Sequence, residues 1–230
     1  MSVQTVLLTG FAPFDKEPIN SSWEVARALN QSTLRVPRAT SAGSKGAIQA
    51  KVIARQLPCE FDRSLAVLAG LIKRHKPDLI VGLGQANTRH DFSVERVAIN
   101  INDARIKDNA GLKPIDTSVV RGAPVAYFSG LPVKAIVQAV RQAGIPSSVS
   151  QSAGTFVCNH TFYGLMHLLA TEYPNKRGGF IHLPLLPEQA ARIPGSPSLG
   201  RDTILRATRI AIVTALSLER DRRLGGGSID

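Results

Sequence analysis

Cysteine is scarce in this chain, with Cys59 and Cys158 as the only two among 230 residues. A disulfide framework is therefore excluded as the source of stability, and the pair lacks the Cys-x-x-Cys spacing of a redox or zinc motif. No apolar run approaches eighteen residues, and no charged segment followed by an apolar one opens the chain. Neither a membrane-spanning helix nor a secretory signal is read from it. These absences predict a soluble protein of a reducing compartment, with the cytoplasm as its expected location and no membrane partner. Aromatic residues make up 5%. No Walker loop, His-Glu-x-x-His helix or Gly-x-Ser-x-Gly elbow occurs, so neither a cofactor nor a metal site is expected.

What is present is an ordinary globular composition with a basic surplus. Apolar residues reach 43%, enough for a proper core, and the length suits one α/β domain. The formal charge of +11 raises the possibility of a nucleic-acid partner. The cations are spread, however, with small groups only at Lys73, Arg74 and Lys76 and at Arg220, Arg222 and Arg223. No basic tract is interleaved with aromatics, so the charge reads as a solvated surface and no nucleic-acid partner is expected. A basic binding module is the competing reading that such a surface leaves.

Short apolar runs alternate with helical patterns from end to end. Strands are expected at 6–9, 51–57, 79–83, 95–101, 149–153 and 179–183. Helices are expected from Ser21 to about Leu29, from an Asp62 cap to His75, over 132–143, from Cys158 to about Thr171, and over 202–218. Residues 30–46 and 105–120 read as loop, the latter as a polar loop or hairpin. This order predicts a single α/β domain over 1–223, built on a twisted, mostly parallel sheet flanked by helices, with a disordered tail at 224–230.

Cys158 stands where an extended run, Ser152-Ala153-Gly154-Thr155-Phe156-Val157, gives way to a helical pattern. At a helix start the macrodipole and free backbone N–H groups favour thiolate, the nucleophilic form. A lone cysteine at such a junction is more often a small buried hydrophobe, and Cys59 reads that way. Asn159 offers a side-chain oxygen near the helix start. His182 ends an apolar run, where sheets of this class place ligands; its plainer reading is a histidine bonded to a carbonyl. Glu95 lies in a segment crowded with carboxylates, amides and arginines. It either orients His182, as a triad acid would, or forms a surface pair with Arg96. Gly82-Leu83-Gly84-Gln85-Ala86-Asn87 begins like a dinucleotide fingerprint but has Asn87 in place of the third glycine.

Taken together, the segments resemble the pyroglutamyl peptidase type I (pyrrolidone-carboxylate peptidase) family. The resemblance runs through Thr9-Gly10-Phe11-Ala12-Pro13-Phe14 with Asn20, Gly84-Gln85-Ala86, Glu95-Arg96-Val97-Ala98-Ile99-Asn100, and Asp103-Ala104-Arg105-Ile106 with Asp108-Asn109. It continues through Ser152 to Asn159 with Tyr163-Gly164-Leu165, then His182-Leu183-Pro184 and Pro187-Glu188-Gln189. The resemblance implies a cysteine peptidase that releases N-terminal pyroglutamate through a thioester acyl-enzyme, on a phosphorylase/hydrolase-like α/β fold. Cys158 then matches the nucleophile, His182 the general base and acid, and Glu95 the third triad member. Phe11, Phe14, Ile106, Phe156 and Val157 match an apolar ring pocket, and Asn20 and Gln85 match polar positions that recognise or orient the ring. Arg105 is a candidate for supporting the oxyanion or the Glu95 carboxylate. The implied partners are peptides beginning with pyroglutamate and further copies of the chain, in a tetramer or a dimer. The chain departs from the family's usual residues at Asp15-Lys16, where two glycines are common, at Asn87-Thr88 in a glycine-rich stretch, and at Asn102, usually aspartate. A phosphorylase-like transferase shares the fold class and is the second enzyme reading.

Overall fold

The computed structural model describes residues 3–39 and 45–227. The chain begins with β1 (Val3–Phe11), α1 (Ser21–Ala28), β2 (Thr33–Ala39), β3 (Lys45–Leu57), α2 (Arg63–His75) and β4 (Leu79–Gln85). Next come β5 (Phe92–Glu95), β6 (Val97–Ile99), β7 (Ala126–Phe128), α3 (Val133–Gln142) and β8 (Ser147–Ser150). The last elements are α4 (Val157–Thr171), β9 (Arg177–Leu183), α5 (Pro187–Ala190) and α6 (Arg201–Ser217). Seven strands form one sheet in the order β2-β3-β1-β4-β9-β5-β8, and β6 and β7 form a separate pair. The β3–β1, β1–β4, β4–β9 and β5–β8 pairs are parallel; β2–β3 and β5–β9 are antiparallel. The result is a single α/β domain on a mostly parallel, mixed sheet. Among the described residues no helix is long and apolar enough to cross a membrane.

Helices cover both faces. On one, residues of α1, α3 and α6 such as Val25, Ile136 and Ile212 pack on Val6, Leu8, Val81, Val94 and Ile181 of the sheet. On the other, Leu68 and Ile72 of α2 and Phe162 and Leu165 of α4 pack on Leu7, Ile80 and Phe180. β4 is buried on both faces, which explains its unbroken apolar run at the sheet's centre. Alternation along each strand thus sends successive residues to different cores.

Several boundaries differ from the sequence expectation. Residues 33–39, expected as loop, form the antiparallel edge strand β2, with Leu34 and Val36 buried in strict alternation. Pro37 is tolerated because an edge strand has a free side that needs no ladder donor. The expected 95–101 strand is split at Arg96 into β5, in the main sheet, and β6, which pairs with β7. The expected 149–153 strand lies earlier, at Ser147–Ser150, and β7 and α5 were not anticipated. Asp62 precedes α2 without a side-chain capping bond, at φ 34°. The α3 start is capped from a distant part of the chain instead, Asp221 accepting from Lys134 N at 3.0 Å and Ala135 N at 2.9 Å. In the C-terminal segment, Gly226 O accepts from Arg96 Nη2 at 2.8 Å; residues 228–230 lie outside the described residues.

The start of α1 rests directly on the end of β1. A methyl on Gly10 would lie 2.5 Å from Ser22 O and 2.7 Å from Trp23 Cα, both backbone atoms that cannot rotate away. Gly10→Ala is therefore expected to destabilise the fold by about 1–3 kcal/mol, the usual cost of overpacking. Urea denaturation measures it, and an unchanged midpoint would show that α1 is free to shift.

Candidate active site

Three elements meet where the sequence expectation put its chemistry. α4 starts at Val157, which puts Cys158 in its first turn. β9 delivers His182 one residue before its end, and β5 delivers Glu95 at its end. In the parallel β4–β9 register His182 is paired with Gly84, and Phe180 with Gly82. Register partners project to the same face, so two bare backbone positions lie beside Phe180 and His182. A methyl on Gly84 would lie 2.9 Å from Cys158 Sγ and 2.7 Å from Phe180 Cε1, and one on Gly82 would lie 2.6 Å from Phe180 Cδ2. The glycines that opened like a dinucleotide fingerprint thus make room for a ring and a thiol. They place the sulfur over the strand position next to His182.

The acid reaches the imidazole from the antiparallel neighbour. Ser93 is paired with His182, so Glu95, two residues on, shares its face. His182 Nδ1 and Glu95 Oε1 are 2.8 Å apart, with Glu95 wholly buried and His182 4% exposed. A carboxylate only accepts, so Nδ1 is the donor in this bond and Nε2 is the ring nitrogen left to exchange a proton. Phe180 stands edge-on to the imidazole at 5.2 Å between ring centroids and limits its rotation. Of the two readings open for Glu95, the geometry gives the bond to His182; no Glu95–Arg96 pair forms. The cation at Glu95 Oε1 is Arg89 Nη2, at 3.2 Å, rather than Arg105, which is exposed.

The thiol's electrostatics depart from the sequence expectation. Although part of the Cys158 surface reaches solvent, burial pushes its pKa well above the ordinary thiol value, with Cys59 and Glu95 adding to the shift. A helix start contributes about 0.3–1 kcal/mol towards the anion, too little to outweigh this burial. Cys158 therefore rests as the thiol. Cys59 is pushed up to about 12 by its own burial, then by Asp108 and Glu60, as an inert packed thiol should be.

The candidate pocket residues fall into two groups. Phe14 and Phe156 are 6.2 Å apart between ring centroids, and Phe61 adds its edge to Phe156 at 5.3 Å. Phe11 packs on Phe180, Val157 is fully buried beneath the turn, and Ile106 is half-buried. The amides, by contrast, hold the scaffold. Asn20 caps α1, its Oδ1 accepting from Ser22 N at 3.1 Å, and its Nδ2 donates to Ala12 O. Gln85 Oε1 accepts from Ser21 N at 2.7 Å and from Gln189 Nε2 at 2.9 Å. Asn159 does not serve the helix start; its side chain pins β6 through Ile99 N, Ile99 O and Ile101 O. Phe61 and Arg89 were missed, because both lie in connections without periodicity. The one available signal was Arg89's place just beyond Gly84-Gln85.

Among the other histidines, His160 is 1% exposed and sits 3.0 Å from Asn102 Oδ1 through Nδ1. Burial lowers its pKa. The folded state thus binds fewer protons there than the unfolded chain. That contribution to stability is complete above the ordinary imidazole value of 6.5 and is lost as pH falls below it. Urea midpoints at pH 7.5 and 5.5 should fall further in the wild type than in His160→Gln, where equal drops would contradict the assignment. The raised Cys158 value has a kinetic counterpart. Its alkylation by iodoacetamide should keep accelerating as pH rises past neutrality, and a plateau already reached near pH 6 would instead mean a preformed thiolate.

The pyroglutamyl peptidase family model matches residues 4–218. The pyrrolidone-carboxylate peptidase of Cupriavidus necator is 52% identical over 228 residues, 99% of this chain and 100% of that one. The Klebsiella pneumoniae protein of the same name is 53% identical, over 97% of this chain and 98% of its own length. In three dimensions the chain is similar to the pyroglutamyl peptidase I of Bacillus amyloliquefaciens, with a TM-score of 0.88 at 46% identity, covering 97% and 100% of the two chains. A mutant pyrrolidone carboxyl peptidase from the hyperthermophile Pyrococcus furiosus aligns with a TM-score of 0.82 at 37% identity, over 93% of this chain and 98% of that one. A thiol, an imidazole and a buried carboxylate on one face of this sheet thus belong to a chain that is a member of the pyroglutamyl peptidase family.

Proposed function

We propose that the chain hydrolyses the amide bond after an N-terminal pyroglutamyl residue, through a Cys158–His182–Glu95 triad and a thioester acyl-enzyme. The observation that carries this reading is the His182 Nδ1–Glu95 Oε1 bond beside a thiol seated over Gly84. His182 Nε2 takes the Cys158 proton as sulfur attacks the carbonyl carbon, which suits a thiol that rests protonated. Free N–H groups in the first turn of α4 face the developing oxyanion, and Arg105 supports it from the neighbouring loop. His182 then passes its proton to the departing amine. Water, deprotonated by His182, attacks the thioester and frees pyroglutamate, and the proton returns to sulfur.

The substrate's ring has no charge because its nitrogen is locked in a lactam. A cleft of Phe11, Phe14, Ile106, Phe156 and Val157, with Asn20 and Gln85 at its polar edge, suits such a ring better than an acidic amine-binding site would. Two free cysteines, one of them the nucleophile, suit a cytoplasmic enzyme, and membership of the family supports assembly as a homotetramer.

Release of a fluorescent amine from a pyroglutamyl conjugate tests this reading. Cys158→Ser and His182→Ala should each lower kcat/KM by at least about 10³-fold, and Glu95→Gln by about 10²–10⁴-fold. Wild-type protein that leaves the conjugate intact, or full activity in Cys158→Ser, would refute it.

A further inference from the structure

We propose that Arg89 is a positioning residue that holds the Glu95 carboxylate against His182 and braces it to the turn carrying Cys158. The inference rests on the triad reading above and concerns a side chain to which that reading gives no part. Glu95 has no exposed surface, and its Oε2 has no hydrogen-bond partner among the described residues. Its hold therefore depends on Oε1, which faces two groups: His182 Nδ1 at 2.8 Å and Arg89 Nη2 at 3.2 Å. A carboxylate buried this completely needs a counter-charge, and Arg89 is the cation that reaches it.

Arg89 is in turn fixed on its other side. The same Nη2 lies 2.8 Å from Ser150 Oγ and 2.8 Å from Ser152 O. Ser150 is the register partner of Glu95 across β5–β8, and its hydroxyl also accepts from Ser152 N at 3.3 Å. Ser152 Oγ accepts from Gly154 N at 3.1 Å, four residues before Cys158. One guanidinium nitrogen thus ties the acid to the segment that leads into the nucleophile. Guanidinium suits this task because its rigid, delocalised plane holds this nitrogen in a fixed direction, whereas the ammonium of lysine ends a flexible stem. With the side chain 31% exposed, it enters from the rim of the site, and an external guanidinium could take its place.

The test compares Arg89→Met, Arg89→Lys and Arg89→Ala with the wild type, alone and in a Glu95→Gln background. Arg89→Met should lower kcat by about 10–100-fold, the loss of a charge-assisted hydrogen bond, with KM within about threefold of wild type. Arg89→Lys should recover part of that loss, and added methylguanidinium should revive Arg89→Ala. In the Glu95→Gln background the Arg89→Met penalty should largely disappear, because the residue acts through Glu95. A penalty that stays additive, a change confined to KM, or wild-type kcat in Arg89→Met would overturn the proposal. The hydrogen-bonded Nδ1 proton of His182, read by proton NMR, gives a result that does not depend on the substrate. It should move upfield in Arg89→Met while the methyl spectrum shows an intact fold, and an unmoved resonance would also overturn the proposal. Activity failing for every pyroglutamyl substrate while this resonance shifts would sink the substrate reading and leave the positioning role standing.

Discussion

Everything about the site follows from a stretch of bare backbone at the centre of the sheet. β4 is buried on both faces, yet at Gly82 and Gly84 it presents no side chain to the layer of α2 and α4. Phe180 fills the space that those residues leave, and the Cys158 sulfur fills the rest. Interiors packed to crystal density transmit such constraints: a ring that fits closely over a glycine cannot move without moving its neighbours. Phe180 touches Phe11 and Phe162 on the core side and His182 on the site side. Core packing and the imidazole's orientation are therefore one arrangement.

The electrostatics are ordered by burial. A helix start favours a thiolate, but its contribution is no larger than about 1 kcal/mol, and the low-polarity surroundings of Cys158 raise its pKa in spite of it. Of the arginines near the site, Arg89 lies on Glu95 and Arg105 is exposed. Deprotonation is thereby coupled to attack, and His182 must be held in the right tautomer at that moment. The Glu95 bond supplies this, and its strength depends on the same water exclusion that keeps sulfur protonated.

Much of this was legible in sequence, and the parts that were not share a cause. The alternation of short apolar runs and helical patterns announced the parallel sheet, and an extended run breaking into a helix at Cys158 announced the thiol's position. β2 was lost because its signal is only two residues, Leu34 and Val36, set among arginine, threonine and proline that read as loop. β5 and β6 were merged because both are apolar and contiguous, and nothing local records that the chain changes sheets at Arg96. At Glu95 the sequence left two readings open because both partners, His182 and Arg96, were available to it. Register decided between them, since Ser93 opposite His182 turns Glu95 towards the imidazole. Asn20 and Gln85 show the converse. Their sequence context marked them for the ring and gave no sign that their oxygens also seat the start of α1.

The first loop shows how a fold supports backbone that its residues resist. Asp15 and Lys16 stand at φ 53° and 63°, left-handed positions that favour glycine. A side chain in that region costs about 1–2 kcal/mol per residue, so an isolated loop of this sequence would choose other conformations. Here its ends are fixed on both sides. Glu17 N donates to Phe14 O at 3.1 Å, Asn109 Nδ2 donates to Pro13 O at 2.9 Å, and Arg192 Nη2 donates to Glu17 Oε2 at 2.6 Å. Gln189 Nε2 adds a bond to Ile19 O at 3.2 Å while holding Gln85. The partners come from two distant segments, around Asn109 and from Gln189 to Arg192, so the strained pair persists only while the whole domain is folded. Phe14 precedes the pair and Asn20 follows it. The aromatic wall and the α1 cap are therefore held by tertiary bonds, and the left-handed geometry is kept at two residues whose local propensity alone would not favour it.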